Sequence, residues 1–180
     1  MNKKFLPSRR IFRVTKTLPV VLATIAFISL VMISCGTAKI PQVGDKAPDF
    51  TLESIDGKNI SLGDFQGKVL LIVFTSVNCK ECEKQMPYIV GAYQQGNGKL
   101  AVLDIYHMIY DPRLVRDYVT NKQFTTFPAL PDPNNTVANS YGATRYPPTN
   151  FIIDAAGIIK YKKIGPFQSQ EEIEDILKSL

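Results

Sequence analysis

Cys79 and Cys82 are separated by two residues, a spacing that lets a pair of thiols cycle between dithiol and disulfide. What the pair can do depends on the elements that hold it. The run Val69-Leu-Leu-Ile-Val-Phe-Thr75 opens with six consecutive apolar residues, most of them branched, and leads into Ser-Val-Asn-Cys79-Lys-Glu-Cys82-Glu-Lys-Gln-Met-Pro87. An apolar run of this length suits a parallel strand covered on both faces and is too short for a buried helix. Beyond it, Met86, Ile89, Val90 and Tyr93 fall at i, i+3, i+4 and i+7, one stripe of a helix that Gly96-Asn97-Gly98 would end. Cys79 is therefore expected at a helix N-terminus, over unpaired backbone N–H groups and the positive end of the helix dipole. Both favour thiolate over thiol, which makes Cys79 the expected nucleophile and Cys82 the resolving thiol.

Other uses of a C-x-x-C pair fit less well. A tetrahedral zinc site needs two further ligands, and besides this pair the chain offers only Cys35 and His107. A purely structural disulfide gains most when it closes a long loop, and this one would close four residues. Glu81 and Glu83 read as solvated charges on the helix surface, and no general base is evident near the thiols.

The N-terminus has a different character. Residues 1–16 hold Lys3, Lys4, Arg9, Arg10, Arg13 and Lys16 without an acid, and Leu18 to Ser34 carries no charge. This is the pattern of a secretory leader or an N-terminal anchor. As a helix, the uncharged run would be about 25 Å long, short of a hydrocarbon core of about 30 Å. Its end, Met32-Ile33-Ser34-Cys35-Gly36, resembles a bacterial lipoprotein signal in which Cys35 is lipidated. An uncleaved transmembrane helix is the alternative, and in both cases the remainder of the chain would lie outside the cytoplasm. Six of the 21 Lys and Arg residues precede Cys35 and none of the 16 acids does, leaving 15 bases against 16 acids beyond it. The basic balance belongs to the leader, and nothing in the remainder argues for nucleic acid as a partner. Gly36 to Val43 reads as a linker reaching at most about 28 Å.

From Gly44 the elements can be placed in order. Alternating apolar residues on either side of Asp56-Gly57 predict a β-hairpin. After the thiol helix, Leu100 to Tyr106 predicts a second buried strand and completes a β-α-β unit. Asp111-Pro112 supplies an N-cap and an N1 proline for a helix to about Lys122. An irregular connection with a short strand follows over Thr126 to Asn135, then a short helix from Val137 to Tyr141 stopped by Gly142. Two strands around Gly157 come next, entered through Pro147-Pro148. Ser169-x-x-Glu172 then opens a last helix whose buried stripe is Ile173, Ile176, Leu177 and Leu180.

Taken with Gly44-Asp-Lys-Ala-Pro-Asp-Phe-Thr-Leu52, Phe65-x-Gly67-Lys68, Cys79-x-x-Cys82 with Pro87, and Pro148-Thr149-x-Phe151-x-Ile153-Asp154-x-x-Gly157, the chain resembles the thioredoxin-like, membrane-tethered thiol-disulfide oxidoreductases of the TlpA/ResA group. These are relatives of the redoxin and peroxiredoxin superfamily. The resemblance implies an α/β fold, with a central mixed sheet flanked by helices and an N-terminal β-hairpin extension. It implies a layout of leader or anchor (1–35), linker (36–43) and thioredoxin-like domain (44–180). It further implies that Pro148 is a cis proline facing the disulfide and that Pro87 kinks the active-site helix. Three positions depart from the pattern. Asn78 stands where much of the group has Trp, and docking at that surface would differ. Gln85 stands where the branch that reduces apocytochrome c has a thiol-tuning acid. Pro147, just before the cis proline, has no N–H to pair with a substrate chain, so a substrate grip through its carbonyl is expected.

The sequence thus points to an extracytoplasmic, membrane-anchored thiol-disulfide oxidoreductase, chiefly a reductase of protein disulfides, with a cytochrome precursor among its candidate substrates. Catalysis would fall to Cys79 and Cys82, and substrate binding to Asn78, Pro147 and Pro148. It would need no cofactor and would be recharged by a membrane-embedded thiol reductase. Two alternatives stay open. A Sco-like copper protein would use Cys79, Cys82 and His107, with Met108 adjacent, although that group has three residues between its cysteines. A peroxiredoxin-like peroxidase would find Ser76 in place three residues before the thiolate. It would meet Ile72 where a Pro is wanted, and Pro148 where an Arg is expected, with Arg145 a poor substitute.

Overall fold

A computed structural model describes residues 39–180; the basic leader, Cys35 and the start of the linker lie outside the described residues. The chain from Gly44 first runs beside a later strand: Gly44 N–H donates to the Ile159 carbonyl (2.8 Å), and Ala47 N–H to the Gly157 carbonyl (2.9 Å). The predicted hairpin follows as β1 (Thr51–Glu53) and β2 (Asn59–Ser61), antiparallel with Leu52 opposite Ile60. A turn of 3₁₀ helix, Leu62–Phe65, then leads to β3 (Val69–Thr75). The remaining elements are α1 (Lys80–Gln95), β4 (Leu100–Tyr106), α2 (Pro112–Lys122), β5 (Ala129–Pro131), α3 (Thr136–Tyr141), β6 (Thr149–Ile153), β7 (Ile159–Ile164) and α4 (Gln170–Lys178).

The five-stranded sheet has the order β5-β4-β3-β6-β7. Strands β3, β4 and β5 run parallel, while β6 and β7 join antiparallel, so the sheet is mixed. Because successive side chains alternate across a strand, β3 feeds two cores. Leu70, Ile72 and Phe74 pack with Phe151, Tyr141 of α3 and Phe50 of the hairpin segment. Leu71 and Val73 pack on the opposite face with Met86, Ile89 and Ala92 of α1 and Ile173 of α4. The edge strand β7 carries Lys160, Lys162 and Lys163, charges that discourage pairing with another chain.

Two helical stripes differ from expectation. In α1 the fully buried positions include Ala92, whereas Tyr93 is exposed and leans edge-on to Phe127 at 5.2 Å. The small side chain of Ala92 gives no hydropathy signal, yet it lets the helix sit close to the sheet. In α4 only Ile173 is fully buried, and Leu180 lies beyond the helix end and is exposed. The capping residue Ser169 accepts from Glu172 N–H as expected, but the Glu172 carboxylate turns to Gln168 N–H and to Lys163.

Candidate active site

Strand β3 ends at Thr75, and Asn78 turns the chain into α1 with φ = 60°. Asn is among the few non-glycine residues that adopt this left-handed conformation readily. Cys79 is the N-cap of α1: its Sγ accepts the Cys82 backbone N–H at 3.2 Å, and its carbonyl accepts Glu83 N–H at 3.0 Å. The sulfur therefore occupies the acceptor position that a serine or aspartate oxygen takes in other helices. An anion there is stabilised by roughly 0.3–2 kcal/mol by the open N–H groups and the helix dipole. Cys79 and Cys82 form a disulfide with Cα atoms 5.2 Å apart. Cys79 is half-buried and Cys82 buried, so a partner reaches the first sulfur and not the second.

The pair is clamped from α2. Tyr118 donates its hydroxyl to Glu83 Oε1 (2.7 Å) and receives the Asn78 backbone N–H, while Lys122 Nζ lies 3.1 Å from the same carboxylate. The Tyr118 hydrogen bond, followed by that of Lys122, holds the Glu83 carboxyl below its ordinary range. Glu83 is thus a fixed tie between two helices and not a freely solvated charge.

Gln85 is fully buried and forms a reciprocal amide pair with Asn150 of β6, each Nδ2 or Nε2 donating to the other's carbonyl oxygen at 3.2 Å. Phe167 N–H also donates to Gln85 Oε1 at 3.0 Å. The side chain fastens α1 to β6 and to the segment before α4. Pro87 sits inside α1, where its missing N–H leaves the Glu83 carbonyl without the usual partner.

The Pro147–Pro148 peptide bond is cis. Thr149 lies opposite Phe74 in the β3–β6 register, which puts this proline pair at the sheet end where β3 runs out toward Cys79. The Pro148 carbonyl accepts Gly165 N–H at 2.8 Å, whereas the half-buried Pro147 carbonyl accepts no hydrogen bond among the described residues. Tyr146 beside it is exposed.

His107 stands apart from the thiols. It is fully buried and meets Phe74 edge-on with ring centroids 6.4 Å apart, in the aromatic core on the side of the sheet away from α1. Neither ring nitrogen has a hydrogen-bond partner, and burial lowers its pKa. Met108 is exposed. Among the described residues no group of three His, Cys, Asp or Glu side chains is placed to hold a metal ion, so the set Cys79, Cys82 and His107 is not assembled. The residues invoked for a peroxidase are also dispersed, with Ile72 buried in mid-strand and Arg145 exposed.

One group gave no functional signal in the sequence. Asp104 lies within the apolar strand β4, directly opposite Val73 of β3, and is 1% exposed. Its Oδ1 has no hydrogen-bond partner, and burial pushes its carboxyl up to about 7. It lines a narrow cavity together with Cys82.

Residues 43–162 match the AhpC/TSA family. Over 142 residues the chain is 34% identical to the thiol-disulfide oxidoreductase ResA of Geobacillus thermodenitrificans, covering 77% of this chain and 78% of that protein. Among solved structures, the pneumococcal exposed lipoprotein thioredoxin Etrx1 of Streptococcus pneumoniae is similar at 25% identity and a TM-score of 0.66, covering 74% of this chain and all of that one. A candidate DsbE-type thiol:disulfide interchange protein of Chlorobium tepidum shares the fold, with a TM-score of 0.69 at 23% identity over 77% of this chain and 96% of that one. A half-buried cysteine capping its own helix, a buried partner three residues on and a cis proline at the same sheet end agree with these likenesses: the chain belongs to the AhpC/TSA family, as one of its thioredoxin-like thiol-disulfide oxidoreductases.

Proposed function

We propose that the protein is an extracytoplasmic, membrane-anchored reductase of protein disulfides. The observation that carries the reaction is the asymmetry of the pair: Cys79 is accessible and caps α1, while Cys82 is buried beneath it. In the reduced protein the Cys79 thiolate attacks a substrate disulfide, forming a mixed disulfide and releasing one substrate thiolate. Cys82 then attacks Cys79 Sγ, and the second substrate thiolate leaves. Two electrons pass to the substrate, and a membrane-embedded thiol reductase restores the dithiol. The substrate chain is gripped at the Pro147 carbonyl, with Asn78, next to Cys79 in the chain, as a second contact; an unchanged KM for a protein disulfide in Pro147→Thr would refute the Pro147 grip.

The anchor is supported by the basic leader, the uncharged run to Ser34 and Cys35, and by the lipoprotein character stated for Etrx1. Among the described residues no helix is long and apolar enough to cross a membrane. A cytochrome precursor is one candidate substrate, and Gln85 in place of a carboxylate separates this chain from the branch described above.

The test is to express Cys82→Ser in a bacterial envelope. Proteins held on Cys79 and released by dithiothreitol are expected in the membrane fraction, and Cys35→Ala is expected to release the complex. Absence of any mixed disulfide with an extracytoplasmic protein would refute the proposal.

A further inference from the structure

We propose that the sheet end around Cys79 docks on the surface of an anionic bilayer, through Met108, Tyr110 and Leu114 on one side of the thiol and Tyr146 on the other. The proposal rests on the membrane anchor proposed above.

Four large apolar or aromatic side chains project into solvent at this end. Strands β3 and β4 run parallel and in register up to Thr75 and Tyr106, so the segment after β4 leaves the sheet beside the turn to Cys79. On that segment Met108 is 55% and Tyr110 99% exposed, and Leu114, in the first turn of α2, is 48% exposed. On the other side of β3, Thr149 opposite Phe74 places the segment before β6 at the same end, where Tyr146 is 64% exposed. A single exposed apolar residue is ordinary; four gathered at one end mark a surface that something covers. Met108 is also held outward by its backbone. Its φ is 58°, and its N–H donates to Asn135 Oδ1 at 2.8 Å. A long side chain in this conformation is uncommon and persists here through a tie from another segment.

The charges nearby suit lipid headgroups. Lys80, directly after Cys79, and Arg145, directly before Tyr146, are exposed and form no ion pair among the described residues. The neighbouring acids Glu81 and Asp111 are engaged by Lys84 and Arg113. Apolar side chains, tyrosines and free cations side by side match the boundary between acyl chains and anionic headgroups.

The tether decides which end meets the membrane. Ile40 packs on Gly142, so closely that a Cβ added to Gly142 would lie 2.5 Å from Ile40 Cγ2. Gly142 ends α3, which is only six residues long and begins beside Tyr106, where Asp132 N–H donates to the Tyr106 carbonyl at 2.8 Å. The exit of the tether therefore stays near the Cys79 end of the sheet. From Cys35 to Ile40 the chain advances five residues, at most about 18 Å. A chain of this length folded compactly measures roughly 37 Å across. The tether is less than half of that, so it keeps the Cys79 end at the membrane and the far end, at the close of α1, away from it. Docking by four side chains is weak and reversible. Docked, the domain presents Cys79 at headgroup level to a membrane-embedded thiol reductase; undocked, Cys79 meets extracytoplasmic substrates.

The chain has no Trp, so one introduced Trp reports its own surroundings. Tyr110→Trp puts it on the proposed surface, and Tyr93→Trp puts it near the C-terminal end of α1, at the opposite end of the sheet. Each full-length variant, purified with its anchor from a bacterial envelope, is reconstituted into vesicles of phosphatidylcholine and phosphatidylglycerol with brominated acyl chains, which quench Trp on contact. Flotation with the vesicles reads the anchor, and quenching reads the docking. Relative to unbrominated vesicles, emission should fall about 2-fold in Tyr110→Trp and by less than about a tenth in Tyr93→Trp. Exchange with glutathione disulfide should match the wild type in both, showing that the fold is intact. Adding Met108→Asp and Leu114→Asp to Tyr110→Trp should restore the emission, and Asp tolerates the backbone conformation of Met108. Quenching that survives those two changes would overturn the assigned surface. A protein that floats but is quenched no more at position 110 than at 93 would overturn the docking and leave the anchor standing. A protein that does not float would overturn the anchor and this proposal together.

Discussion

Asp104 within β4 and His107 just past its end lie three residues apart, and both are buried with unpartnered polar atoms. They face different worlds. Asp104 shares a cavity with Cys82 under α1, whereas His107 lies edge-on to Phe74 in an aromatic core with Tyr141 and Phe151. Alternation across the strand end separates them, and the sheet then divides chemistry from packing. A buried titratable group is therefore no active-site marker by itself; what it faces decides. The two also respond oppositely to pH. Asp104, with its pKa raised, binds its proton more tightly folded than unfolded, so its share of stability is intact below about 4 and lost as pH rises through about 7. His107, with its pKa lowered, costs nothing above its ordinary value near about 6.5 and costs more as pH falls below it.

The largest test of this contrast is Asp104→Asn. It should stabilise the protein by about 4 kcal/mol more at pH 8 than at pH 4, an order-of-magnitude figure from the displaced titration, read by urea unfolding at both values. An equal change at the two pH values would mean that the carboxyl does not titrate where burial puts it. Next is Gln85→Glu, which adds a second carboxyl to the thiol face and removes the donor that satisfies Asn150 Oδ1. A loss of about 2 kcal/mol at pH 7 is expected, smaller at pH 5 where the new acid is protonated. His107→Leu should gain about 1 kcal/mol, more at pH 5 than at pH 8, and leave disulfide exchange untouched. A fall in exchange rate there would erase the distinction between the two faces. Lys122→Ala, at the exposed rim of the Glu83 tie, should cost only about 0.5 kcal/mol and less in high salt.

The sequence was most legible where local rules act alone. The bounds of β3, β4 and α2 follow from apolar runs and from the Asp111 cap, whose carboxylate accepts Arg113 N–H at 2.9 Å. Cys79 as the helix cap was readable for the same reason. Contacts between distant segments were not. The Gln85–Asn150 pair joins residues 65 apart, and Tyr118 reaches Glu83 across 35. The strip from Gly44 to Ala47 beside β7 leaves no mark in hydropathy. Asp104 was passed over because one acid in an apolar strand has no local signature; only the register opposite Val73 brings it beneath Cys82. Nor does the sequence say that His107, just past the end of β4, turns its ring into the aromatic core beside Phe74.

The proposed reductase requires that Cys79 and Cys82 form an interconverting pair poised to reduce other proteins' disulfides. A redox titration of the full-length protein, read by alkylation and mass at both cysteines, tests it most directly. The expected result is a single two-electron couple near or below about −230 mV. A couple near about −120 mV would contradict the reductase assignment, and a pair that does not interconvert would contradict the exchange reaction itself.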